Sequence, residues 1–176
     1  MPRTPQLQEA AVLVPVFRRD ARLTMLVVRR TNFGVHGGQL AFPGGKPQDG
    51  DESMLQTALR ETREEVGVPE SSIEVLAELP VIETVTTGYR IHPFLGRIPP
   101  ADTWEFDPRE IAEVIEVAAE DLALPEAHGE SVETFPQYPD PLHISYYKVG
   151  SYKLWGATYR IVTPLLPRLL AGEWDV

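Results

Sequence analysis

Residues 53–68 read Ser53-Met54-Leu55-Gln56-Thr57-Ala58-Leu59-Arg60-Glu61-Thr62-Arg63-Glu64-Glu65-Val66-Gly67-Val68. Leu55, Ala58 or Leu59, Thr62 and Val66 recur at helical spacing, so the stretch predicts an amphipathic helix over 53–66. Asp51 or Ser53 is suited to cap its start, and Gly67 stands where a left-handed residue ends a helix. Glu61, Glu64 and Glu65 crowd its last turn. Spacings of three and four put Glu61 on one face with both of the others. Like charges at that spacing repel, and at the negative end of the helix dipole each anion costs about 0.3–1 kcal/mol. A helix that breaks the local rules repeatedly within one turn is expected to be compensated by function. A divalent cation is the simplest compensation, because magnesium takes hard oxygen ligands, keeps waters and shares a substrate's phosphates. The plainer alternative is a solvated charged face neutralised by Arg60 and Arg63.

Outward from this helix the chain reads mostly as strands. The β-branched stretches 9–17 and 23–30 flank the polar turn Arg18-Arg19-Asp20-Ala21 and predict a hairpin. Residues 32–50 carry Gly34, Gly37, Gly38, Gly44, Gly45 and Gly50 without periodicity, which predicts loops around a short strand at 39–42. Further strands are expected at 73–79, 81–86 and 91–98, with a break at Pro80. Apolar and acidic residues alternate over 111–117, the pattern of a half-buried strand. Residues 143–149 and 152–155 read as a hairpin or strand ends. A closing helix is expected over 158–170, although Pro164 and Pro167 count against it. This order predicts an α/β sandwich on a mixed sheet, and 176 residues suit a single domain spanning 1–176.

Composition removes several function classes. The absence of cysteine excludes a disulfide scaffold, a thiolate zinc site and a cysteine nucleophile. A net charge of −10 without a basic run argues against nucleic acid as a partner. A small anionic substrate stays open, because a bound cation reverses the local field. No apolar run approaches the roughly 18 residues of a membrane span, and Met1-Pro2-Arg3-Thr4-Pro5-Gln6 lacks the apolar core of a signal peptide. A soluble, cytoplasmic protein with no membrane partner is expected. His36, His92, His128 and His143 show no metal-ligand spacing. Trp104, Trp155 and Trp174 read as core or interface anchors.

Upstream of the helix stands Phe42-Pro43-Gly44-Gly45, where two glycines allow a sharp turn and close approach to a ligand. No Gly-Lys-Ser/Thr follows, so this is not a P-loop. Together with Glu52 and the run 60–68, it resembles the Nudix box, G-x5-E-x7-R-E-U-x-E-E-x-G-U, over residues 44–68. Two departures stand out: Gly45 is one residue too far from Glu52, and Thr62 occupies a position that is usually bulky and aliphatic. The resemblance implies an α/β/α sandwich around a mixed β-sheet, with the box as loop-helix-loop, and hydrolysis of a diphosphate linked to another moiety. It implies Glu61 and Glu65 as the main ligands of Mg²⁺, with Mn²⁺ as a substitute, and Glu64 as a ligand directly or through water. Arg60 is implied to orient these glutamates through ion pairs with Glu52 or Glu64. The proton acceptor is implied to be Glu64 or a loop residue. Glu52 and Gly67 support the box, and Gly44 and Gly45 approach the substrate.

The stretch His36-Gly37-Gly38-Gln39-Leu40-Ala41-Phe42-Pro43-Gly44-Gly45 is similar to the segment before the box in coenzyme A pyrophosphatases. Asp51 beside Glu52, Thr86-Thr87-Gly88-Tyr89 and Trp155-Gly156-Ala157-Thr158 are similar to that subfamily as well. Arg29 matches one arginine of its upstream pattern, L-L-T-x-R-[SA]-x3-R-x3-G-x3-F-P-G-G. The pattern's second arginine falls on Gly34 and its small residue on Arg30. The resemblance implies cleavage of coenzyme A to 3′,5′-ADP and 4′-phosphopantetheine, with Arg29 and Tyr89 beside the substrate. ADP-ribose or a related nucleoside diphosphate derivative is the alternative, and a homodimer is common in the family. An inactive binding module would be expected to lack a box glutamate, whereas Glu52, Glu61, Glu64 and Glu65 are all present. An isoprenyl diphosphate isomerase would be expected to carry an active-site cysteine. Asp49-Gly50-Asp51 lacks the spacing of an EF-hand calcium loop.

Overall fold

The computed structural model describes residues 6–31, 38–84, 86–136 and 138–176. Gly34, His36 and Gly37, singled out above, lie outside them. The predicted hairpin forms from β1, Gln8–Arg19, and β2, Arg22–Arg30. Its two-residue turn places Asp20 and Ala21 at φ of 50° and 66°, left-handed values that match the twist of paired strands. β3, Leu40–Ala41, adds to β2, and β4, Gly44–Gly45, adds to β1. After α1, Met54–Val66, come β5, Glu74–Glu78, and β6, Ile82–Thr84. Both pair antiparallel with β7, Tyr89–Arg97, which itself runs parallel to β1. β8, Ile111–Ala118, closes the eight-stranded mixed sheet against β2.

Because side chains alternate along a strand, β1 and β2 feed two cores. Leu13, Phe17, Leu26 and Val28 pack with Ala58 and Val66 of α1. Val14, Val16, Met25 and Val27 pack with Ile161, Val162 and Leu165 of the closing helix, numbered α3 below. The sheet thus lies between helices, the expected α/β/α arrangement. Within α1, Ala58, Thr62 and Val66 are buried as predicted. Leu55 and Leu59 are only partly buried.

Two features differ from the sequence reading. A short helix, α2, Ala119–Leu122, follows β8. A strand that the reading lacked, β9, His128–Glu133, joins the expected hairpin of β10, Leu142–Val149, and β11, Tyr152–Leu154, in a second sheet. β9 carries no apolar alternation because its residues are exposed or only half-buried. The expected closing helix forms as α3, Gly156–Leu170, and runs through Pro164 and Pro167. An interior proline costs about 3 kcal/mol, but Ile161, Val162, Leu165, Leu166 and Leu169 are buried on the same helix. At about 1.5–3 kcal/mol for each apolar side chain, their burial outweighs the prolines. No helix among the described residues is long and apolar enough to cross a membrane.

Candidate active site

The site is organised by α1. Ser53 caps it, its Oγ accepting the Gln56 N–H at 3.1 Å. Gly67 ends it at φ 73°, its N–H donating to the Arg63 carbonyl. A side chain at Gly67 would also meet Glu105 at 2.9 Å. Thr62, in the position expected to be bulky, is fully buried, and its hydroxyl donates to the Ala58 carbonyl at 2.7 Å.

Arg60 is buried and holds the helix to the preceding loop. Its Nε and Nη2 grip Asp51 at 2.9–3.2 Å, and Nη2 also donates to the Lys46 carbonyl at 3.0 Å. Its Nη1 donates to Glu61 at 3.0 Å and Glu64 at 3.1 Å. Asp51 accepts further bonds from the Thr57 hydroxyl and the Gln48 N–H. These donors, Arg60 first, hold its carboxyl well below the usual range. The expected pairing of Arg60 with Glu64 is present. No ion pair joins Arg60 to Glu52, which is exposed. The loop turns Asp51 inward and Glu52 outward, so Asp51 supplies the support that the box pattern assigned to Glu52. Counted from Gly45, Asp51 also sits after the five residues that the pattern requires.

Gly44 and Gly45 do not form a sharp turn. They make a short strand on Ala11 and Val12 of β1, and close approach is what excludes a side chain there. A Cβ on Gly44 would lie 2.3 Å from the Ala11 carbonyl oxygen, and one on Gly45 2.5 Å from Glu61 Oε1. Glu65 lies beneath this strand, 1% exposed. It accepts the Gly44 N–H at 3.4 Å and Arg30 Nη1 at 3.3 Å. Burial raises its carboxyl from 4.5 to about 7, opposed by Arg30 and reinforced by the Glu61 charge. Burial also raises Glu61, opposed by Arg60. A buried and a half-buried carboxylate with long or shared hydrogen bonds are under-compensated. Their hard oxygens are the donors a divalent cation takes.

Glu61 lies between the other two, its charge acting on Glu65 and Glu64's charge acting on it, but Glu64 differs in facing solvent. That side chain is 42% exposed and turned to Arg60 and Arg63. Among the described residues no three acidic or imidazole side chains form a ready metal cluster. This is compatible with magnesium's habit of taking one or two carboxylates together with water and phosphate.

A cavity of about 570 Å³ adjoins this site; its walls include Arg30, Gly44, Gly45, Lys46, Tyr89 and Trp155. Tyr89 stands in the wall with the Lys46 ammonium 5.5 Å from its ring centre. Arg29 is not part of the lining. It pairs with Glu113 at 3.2 Å and lies over the Tyr152 ring. Its neighbour Arg30 lines the cavity in its place. Trp155, read from sequence as an anchor, is both: it stacks on Phe135 at 4.6 Å and walls the cavity. The alternation of Arg29 and Arg30 along a strand was the only signal available for Arg30.

The NUDIX domain family matches residues 7–138. A Cronobacter sakazakii protein described as an uncharacterized Nudix hydrolase NudL is 36% identical over 159 residues, covering 90% of this chain and 81% of its own. The solved Nudix hydrolase RenU from M. smegmatis has a TM-score of 0.64 at 16% identity, covering 96% of this chain and 89% of its own. The NUDIX domain of Shewanella oneidensis NrtR, solved with ADP ribose, has a TM-score of 0.51 at 21% identity, covering 65% of this chain and 75% of its own. The chain belongs to the Nudix hydrolase family. Enzymes of this family generally use divalent metals.

Proposed function

We propose that this hydrolase cleaves the diphosphate linkage of a nucleoside diphosphate derivative, coenzyme A first among them, with Mg²⁺ held by Glu61 and Glu65. The observation that carries the reading is the under-compensated pair of half-buried Glu61 and buried Glu65 behind a glycine strand that walls a cavity. When bound, the divalent cation offsets charge on the phosphoryl oxygens and makes a water more acidic. Arg60, fixed by Asp51, holds Glu61 in place. Glu64, on the solvent side, takes the proton from the attacking water. Gly44 and Gly45 keep the wall thin enough for a diphosphate to reach the carboxylates. Lys46, Tyr89 and Trp155 present cationic and aromatic surface to the rest of the substrate.

Coenzyme A is favoured by the segments around Gln39–Gly45, Tyr89 and Trp155, all of which meet at this cavity. ADP-ribose is the second reading. It is supported by the departures at Gly34 and Arg30 and by the ADP-ribose complex of a protein sharing the fold. The test is a product assay by mass spectrometry with Mg²⁺ and, separately, coenzyme A, ADP-ribose and a dinucleoside polyphosphate. Release of 3′,5′-ADP and phosphopantetheine is expected. Turnover of ADP-ribose alone moves the substrate to the second reading, and no turnover with Mg²⁺ or Mn²⁺ overturns the proposal. Glu65→Gln is expected to keep the fold and lose nearly all metal-dependent turnover; near-native rates would remove Glu65 from the ligand set.

A further inference from the structure

We propose that Arg30 is a built-in stand-in for the divalent cation. Its guanidinium holds the Glu65 carboxylate and the Gly44 carbonyl. Cation binding frees it into the cavity, where it takes the diphosphate of the substrate. This rests on reading Glu65 as a cation ligand.

Arg30 Nη1 lies 3.3 Å from Glu65 Oε1, and Nη2 lies 3.3 Å from the Gly44 carbonyl oxygen. Both acceptors are hard oxygens, the donor type that magnesium selects. A guanidinium and a divalent cation cannot both sit on the same buried oxygens without strong mutual repulsion. One must therefore leave as the other arrives.

The two arginines of the site are held very differently. Arg60 forks onto Asp51 with bonds down to 2.9 Å and is 10% exposed in its side chain. Among the described residues the Arg30 side chain makes two hydrogen bonds, both at 3.3 Å, and is 30% exposed. Strong charge-assisted pairs are shorter, about 2.7–2.9 Å. Arg60 is thus a fixed support, whereas Arg30 is loosely held with a way out.

The backbone aims Arg30 at the site. The pairing of β2 with β8 shifts register between Arg29 and Arg30: Arg29 faces Glu113, and Arg30 faces Ile111. Such bulges re-aim side chains beside functional sites. Arg29 stays with Glu113 and Tyr152, while Arg30 enters the cavity wall. Among the cationic side chains in that wall, Lys46 lies over Tyr89 and Arg160 donates to the Glu83 carbonyl. Arg30 is the one that bridges the wall to the buried Glu65 carboxylate. Once freed, its planar fork suits two phosphate oxygens at once.

The test is calorimetric titration of Mn²⁺ into the full chain after chelator treatment, with no substrate present. Arg30→Gln removes the charge but keeps a long hydrogen-bonding side chain, and Arg30→Ser removes both the charge and the reach. Each is expected to bind Mn²⁺ about 3- to 10-fold more tightly than the native chain, because a competing bound state has been removed. A side chain needed only for the fold would instead lower the melting temperature and weaken or leave unchanged the affinity. If the serine variant does not fold by circular dichroism, the glutamine variant decides alone. Unchanged or weaker Mn²⁺ binding by a folded variant overturns the proposal. A native chain that binds no Mn²⁺ overturns both this proposal and the metal reading above.

The release step is read separately with imidodiphosphate, a non-hydrolysable diphosphate, in saturating Mn²⁺. Its affinity is expected to fall about tenfold in Arg30→Gln, since a bidentate arginine contact is lost. Unchanged affinity overturns the release of Arg30 to the diphosphate.

Discussion

The two faces of the central sheet are built from the same strands yet bury opposite chemistry. On the α3 side the core is apolar, from Val14 and Met25 to Leu165 and Leu169. On the α1 side, Thr57, Arg60, Thr62 and Glu65 are buried along a single helix. The apolar face gains its stability from area, which tolerates two prolines in its helix. The polar face depends on the placement of individual hydrogen-bonding atoms, above all the Arg60 fork. A region that spends so much local stability on buried charge is where function is to be sought.

That contrast is most directly broken by Arg60→Ala. It leaves Asp51, 5% exposed, and Glu61 without their main partner. Removing one side of a buried ion pair costs about 3–5 kcal/mol, to be read by urea denaturation. A cost under about 1 kcal/mol, the level of exposed pairs, would mean that the network is ornamental. On the other face, Leu165→Ala is expected to cost about 2–5 kcal/mol. Metal affinity by calorimetry should stay near native, because the residue reaches only the apolar core. A collapse of metal binding in the folded variant would show that the two faces are not independent.

Glu65 supplies the third test. Its folded pKa of about 7 lies above the ordinary 4.5. Its contribution is therefore complete below pH 4.5 and is lost as pH rises through about 7. In chelator the native protein should lose about 3 kcal/mol of stability across that window from this group, and Glu65→Gln should flatten the loss. Asp51 has the opposite sign: its lowered pKa gives stability that disappears on acidification. A native profile that rises from pH 5 to 8 without metal would contradict the burial of an under-compensated Glu65. The smallest effect is expected at exposed Pro164. Pro164→Ala removes the cost of an interior proline, about 3 kcal/mol, and gives back up to about 1 kcal/mol by freeing the unfolded chain, so stability should rise by about 2 kcal/mol. A loss by calorimetric melting would mean that α3 relies on the proline itself.

Much of this was legible in the sequence where local physics decides. The β1–β2 hairpin, α1 with its Ser53 and Gly67 caps, and the alternating strand β8 follow from periodicity and turn chemistry. The motif residues Glu61 and Glu65 were legible as well, because four-residue spacing on a helix brings side chains to one face whatever surrounds them. The polar strand β9 was not, since a half-exposed strand needs no apolar pattern. The proline-bearing helix α3 was legible only against its own propensity, which tertiary packing overrides.

Three choices belong to the tertiary structure alone. Asp51 rather than Glu52 meets Arg60, because a loop absorbs one residue in ways that counting along the chain does not reveal. Glu64 turns to solvent while Glu61 and Glu65 turn inward, because the rotation of α1 against the sheet selects between spacings of three and four. Arg30 rather than Arg29 enters the cavity, because a register shift against β8 sets which side of the strand faces it. By itself the sequence determined the elements and the carboxylate helix, since those depend on neighbours along the chain. Which charged groups are buried together was decided by packing between distant segments, where shifts of one residue or a fraction of a helical turn exchange one side chain for another.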